Sequence, residues 1–125
     1  MADIESAYYS LLSSNDAINN FFENIEPLKR TDPLPMLAYQ FISHPDNYVA
    51  RAKYPRVQHN IWGERYSQIK QGKSILIEEI HDWRGTLDGI AVKNIVKIGD
   101  SEREEHNDDL DIWRQIIDFK IIYQD

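Results

Sequence analysis

Apolar residues recur along this chain with two different periods, and the switches between them mark its elements. In "DIESAYYSLL", Ile4, Ala7, Tyr8, Leu11 and Leu12 fall at helical spacing, and Asp3 stands at the N-cap position. "SSND" interrupts that pattern, and Ser14 or Asn15 can cap a short second turn carrying Ile18, Phe21 and Phe22. A two-step helical entry is predicted. The stretch "EPLKRTDPLP", Glu26 to Pro35, holds three prolines. Proline has no N–H to donate, so an extended connector without a regular ladder is predicted there.

"MLAYQFISH", Met36 to His44, reads as a buried strand, and Pro45 to Pro55 as a loop bounded by prolines. A second strand, Val57 to Trp62, stops at Gly63. From Arg65 the period lengthens to that of a helix: Tyr66, Ile69, Leu76, Ile77, Ile80 and Trp83 share one stripe. Lys73 interrupts it, but its aliphatic stem can lie along the stripe. One long helix, Arg65 to Trp83, is therefore predicted, with Gly72 costing it about 1 kcal/mol. "RGTLDG" ends it. "IAVKNIVKIG" alternates as a third strand, the acidic run Asp100–Asp111 reads as a loop or ragged hairpin connection, and "IWRQIIDFKIIYQ" is a long closing strand.

The order expected is α–β–β–α–β–β. It implies an α+β fold: a four-stranded, mainly antiparallel sheet, one long helix on one face and a short N-terminal helical segment. The 125 residues are expected to form one domain spanning the whole chain, with room for one real core.

Composition narrows the chemistry. The chain has no cysteine, which excludes thiolate ligands, a thiol nucleophile and a disulfide scaffold. No apolar run approaches the roughly 20 residues of a membrane span, and the start "MADIESAYYS" lacks a signal-peptide pattern, so synthesis and retention in a cytoplasm are expected. A net charge of −7 argues against holding nucleic acid by phosphate neutralisation.

His44, His59, His81 and His106 form no HxH or HxxxH spacing, so no metal site is expected. "HNDDLD" lacks the regular acidic positions and central glycine of a calcium loop. "GKS" at Gly72–Ser74 lies inside the helix pattern and lacks the first glycine of a phosphate loop. No nucleophile is set in a diagnostic context. An enzyme, a cofactor and a metal are therefore not expected. Fourteen aromatic residues are a generous supply, and a protein covered by copies of itself would use them at interfaces.

Four segments together resemble the tail-completion (head–tail joining, or tail terminator) proteins of long-tailed bacteriophages and prophages. They are "IESAYYSLLSSNDAINNFF"; "NIEPLKRTDPLPMLAYQFIS", with its Pro–apolar–apolar–x–Tyr strand; "RVQHNIWGERYSQIKQGKSIL", a strand–Trp–small–x–x–Tyr–helix signature; and the closing "IWRQIIDFKIIYQD". His59 departs from the family, which usually has an apolar residue there, and the acidic stretch after Gly99 transfers nothing. The resemblance implies a virion protein made in the host bacterial cytoplasm and carried at the head-proximal end of the tail. It implies a homohexameric ring that stops tube growth, with tail tube protein and head connector as partners. DNA would pass through its lumen without specific binding. No membrane partner and no catalytic residues are implied.

Within that reading, Gln58 and Asn60 face one side of their strand, and His59 with Val57 and Ile61 the other. Gln58 and Asn60 are expected at a subunit or partner interface or in solvent, joined by the loop residues Tyr48, Arg51 and Lys53. Glu104, Glu105, Asp108 and Asp109 are expected at the lumen or its rim, repelling DNA over about one Debye length, ~8–10 Å. A solvated outer loop is the competing reading of the same four. Two other functions remain open on sequence alone: a non-phage α+β module that binds a peptide at a sheet edge, and a small hydrolase using His59 with the acidic run.

Overall fold

Asp3 starts the first helix, its carboxylate accepting the Ser6 N–H at 2.8 Å. In this computed structural model, which describes residues 3–30, 32–43, 46–47 and 52–124, that helix is α1 (Ile4–Ser14). Asn15 ends α1 and caps α2 (Asp16–Phe21), accepting from the Ile18 N–H at 3.0 Å. The strands follow: β1 (Asn24–Pro27), β2 (Met36–Ser43), the two-residue β3 (Asp46–Asn47) and β4 (Ala52–Lys53), and β5 (Arg56–Gly63). Next come α3 (Tyr66–Ile80), the short β6 (Gly85–Leu87), β7 (Ile90–Asn107) and β8 (Ile112–Gln124).

Among the described residues these eight strands form one sheet, in the order β1-β2-β5-β8-β4-β3, with β7 also pairing β8 and β6 pairing β7. Strand accounts for 47% of the structure, and the mixed sheet curls into a half-barrel. The expectation of a four-stranded sheet with one long helix is overturned. β2, β5, β7 and β8 correspond to the four strands expected from the sequence, and three differences separate the rest from that plan.

First, the proline-rich connector begins as a strand. Asn24–Pro27 pairs in parallel with Met36–Tyr39. A sheet-edge strand can place proline where no ladder donor is needed, so Pro27 ends β1 without preventing it. Second, the acidic run is part of an 18-residue strand: Arg103–Asn107 pairs with Ile112–Ile116 beyond an irregularity between Ile98 and Arg103. Third, the helix is shorter than predicted, 15 residues, Tyr66–Ile80. Its exit is set by Asp82 at φ 66°, whose N–H donates to the Ile95 carbonyl at 2.7 Å. His81 Nδ1 accepts the Lys97 N–H at 3.0 Å, so the helix end is tied to β7.

The core lies between the three helices and one face of the sheet. α1 contributes Tyr8 and Leu12, α3 contributes Ile69, Leu76 and Ile80, and the sheet contributes Leu37, Ile61, Ile95, Phe119 and Ile121. Tyr66, assigned to the buried stripe by periodicity, is 47% exposed. Gly72 is buried instead, at the point where α3 crosses α2 and β5. A Cβ there would lie 3.0 Å from Ile61 Cγ2 and 3.1 Å from ring atoms of both Phe21 and Phe22. The glycine that looked like a tolerated cost is what lets the helix approach.

Candidate functional site

β5 alternates as its sequence predicts. Val57, His59, Ile61 and Gly63 are buried against the helices, while Arg56, Gln58, Asn60 and Trp62 lie half-buried on the opposite face. On that opposite face Gln58 registers between Gln40 and Asp118, and Asn60 between Ala38 and Ile116. The Asn60 side-chain oxygen is buried and has no hydrogen-bond partner among the described residues. Arg56 holds Asp118 at 2.6 Å, and the guanidinium carbons of Arg30 and Arg114 lie over the Trp62 ring, 5.5 and 5.2 Å from its centroid. Tyr48 and Arg51 fall outside the described residues. Lys53 has a described backbone, pairing with Tyr123 of β8, but its side chain lies outside the description.

His59 occupies the core at 0% exposure. Its Nε2 lies 2.6 Å from the Tyr8 hydroxyl and its Nδ1 3.3 Å from the Ile117 carbonyl oxygen. A carbonyl only accepts, so Nδ1 carries the hydrogen and Nε2 accepts from the phenol. The rings of Tyr8 and Phe119 meet the imidazole edge to face. Burial lowers the imidazole pKa to about 4, against the weaker opposing pull of the Ile117 carbonyl and Asp118. Burial likewise pushes the Tyr8 phenol far above its ordinary value. The pair is a neutral core hydrogen bond. The departure at His59 therefore has a partner, Tyr8, that lies on the apolar stripe of α1 and carries no polar signal of its own in the sequence.

The acidic residues divide into two groups. Glu104 is ion-paired with Lys70, whose Nζ also donates to Gln115 Oε1 at 3.2 Å. Glu102 meets Lys73 at 2.5 Å and Lys97 at 3.3 Å. Glu105 is paired with Arg114, with Arg103 at 3.5 Å. The lysine bond lowers the Glu102 pKa and the Arg114 bond that of Glu105. Asp108 and Asp109 stand at the exposed turn between β7 and β8. There His106 Nδ1 reaches Asp108 at 2.8 Å and Nε2 reaches Asp111 at 3.0 Å. Those two carboxylates, Asp111 first, raise the imidazole pKa. The four residues expected at a lumen thus lie along one hairpin, two in ion pairs on its stem and two at its tip.

Among the described residues, no group of three or more His, Asp or Glu side chains is placed to hold a metal ion. Among the described residues, no helix is long and apolar enough to cross a membrane. Among the described residues, the two ring nitrogens of His59 are taken by Tyr8 and Ile117, and no side chain of the acidic run hydrogen-bonds to it.

No family model matches the chain, and no curated protein matches it. Among solved structures, its fold is similar to that of a chain in a structure described as "Virion of native gene transfer agent (GTA) particle". The TM-score is 0.70 at 8% sequence identity, over 98% of this chain and 95% of that one.

Proposed function

We propose that the chain is a structural subunit of a phage-like virion, a tail-completion protein that caps the head-proximal end of the tail tube and joins it to the head connector. One observation carries the reading: the fold likeness spans nearly all of both chains, and the neighbour belongs to a virion particle. The motif order of the sequence points independently to the same class of protein. The proposed working form is a homohexameric ring with a DNA-conducting lumen, without catalysis or cofactor.

In such a ring, Gln58 and Asn60, with Tyr48, Arg51 and Lys53, belong to a subunit or partner interface. The buried Asn60 oxygen, open to a donor from a neighbour, supports that assignment. Glu104, Glu105, Asp108 and Asp109 belong to the lumen or its rim. Because Lys70 and Arg114 offset the first two, repulsion of DNA rests chiefly on the tip residues Asp108 and Asp109.

Deleting the gene in a particle-producing host tests the role. Filled heads and unjoined tails should accumulate, and the wild-type gene supplied in trans should restore joined particles. A variant carrying Asp108→Lys and Asp109→Lys should restore joining but deliver DNA poorly. Normal joined particles from the deletion strain would contradict the proposal.

A further inference from the structure

Glu102, Glu104 and Glu105 are each matched by a lysine or arginine of the same chain. Glu5 and Glu26 are not: among the described residues neither has an ion-pair partner. Both border an open groove of about 580 Å³ between α1 and β1. Tyr9 and Tyr39 also line it, their ring centroids 6.5 Å apart and their planes inclined by 32°. Ser6 and Ser10 add hydroxyl oxygens along the α1 side. Tyr9 is 43% exposed, so its ring is available from solvent. Two unneutralised carboxylates beside an accessible aromatic ring are the chemistry that recognises an ammonium or guanidinium group.

The end of β1 adds an apolar contact. Leu28 follows Pro27 at φ 72°, a left-handed conformation that non-glycine residues rarely adopt. It is held there by its N–H, which donates to the Tyr39 carbonyl at 2.9 Å, and its side chain is 70% exposed. Leu28 is thus an exposed leucine one residue beyond Pro27, which lines the groove.

We propose that this groove docks a segment of a partner protein bearing an arginine or lysine. The cation lies between Glu5 and Glu26 over the Tyr9 ring, and an apolar neighbour of that residue rests on Leu28. The occupant follows from charge complementarity, since among the described residues the groove is lined by two carboxylates without ion-pair partners and by no cation. The surface stands apart from the particle role and is tested on the free protein.

The test is an NMR titration with N-acetyl-arginine methylamide, using the neutral citrulline analogue as control. Arginine should shift the Tyr9 and Tyr39 ring resonances saturably, and citrulline should bind about tenfold more weakly or less, one tenfold step being ~1.4 kcal/mol. The Glu5→Gln, Glu26→Gln double variant should lose that discrimination. Both carboxylates are solvent-facing, so its spectrum should stay folded. Tyr9→Leu, which keeps both charges, should also weaken binding. Equal shifts from arginine and citrulline, no saturable shift, or undiminished binding by the double variant would each overturn the proposal. None of these results bears on whether the chain joins heads to tails.

Discussion

The two ends of the β7–β8 hairpin are built by different balances of burial and charge. Near Ile90–Ile98 the hairpin lies beneath the helices, and Ile95, Phe119 and Ile121 are fully buried. Beyond the irregularity at Ile98–Arg103 the same two strands run on, held by cross-strand and helix-to-strand ion pairs and by His106 against Trp113, 4.5 Å between ring centroids. One end gains stability from area removed from water. The other buries a smaller patch, Ile112, Gln115 and Ile116, and adds charge pairing at a surface, where each pair contributes little. The proximal half thus holds more of the apolar core, and the distal half adds a charged surface to a smaller buried patch.

Replacing a proximal anchor should have the largest effect. Phe119→Ala removes a fully buried ring that also packs on His59, and should cost about 3–5 kcal/mol in chemical denaturation. A loss as small as that of a surface substitution would erase the contrast between the two halves.

Acid should come next, through His59. Its folded pKa, about 4, lies below the ordinary 6.5. Between those values the unfolded chain binds a proton that the folded chain refuses, so stability falls as pH drops through 6.5 and levels off below about 4. The full loss is about 3 kcal/mol at 1.36 kcal/mol per pH unit. Carboxylates such as Glu102 and Glu105, with lowered pKa values, add their own loss at lower pH. The measurement is therefore the difference between the wild type and His59→Leu: urea midpoints of the two should converge as pH falls from 6.5 to 4. Parallel curves would mean that His59 titrates normally and is not buried.

Gly72→Ala separates packing from propensity. Alanine favours an isolated helix by about 1 kcal/mol, yet a Cβ here meets Ile61, Phe21 and Phe22 at 3.0–3.1 Å. Overpacking should win, with a net destabilisation of about 1–3 kcal/mol. A higher melting temperature would show that the helix does not approach so closely.

The smallest effect belongs to the distal half. Glu104→Gln breaks the pair with Lys70 at a partly exposed site and should change stability by no more than about 0.5 kcal/mol, less at high salt.

Local sequence made some of this legible. The alternation in β5 foretold which side of the strand each residue takes, including His59 beside Val57 and Ile61, and Asp3 and Asn15 announced two helix starts. What failed needed distant partners. The acidic run reads as a solvated loop until Lys70 and Lys73, some thirty residues earlier, arrive to neutralise it. The edge strand β1 is four residues long and ends in proline, too short for any period to register. Tyr66 matched the helical stripe in spacing but sits at the first turn of α3, beyond the reach of the core. The Glu5–Glu26 groove was equally invisible, because its carboxylates come from a helix and a strand that the sequence does not bring together.

The most direct test of the virion role is to see the protein in place. Particles carrying an epitope-tagged copy should show label at one position by electron microscopy, the junction of tail and head, and averaged images should resolve a closed ring of six subunits there. Label on the capsid shell or distal tail, or particles devoid of the protein, would contradict the account.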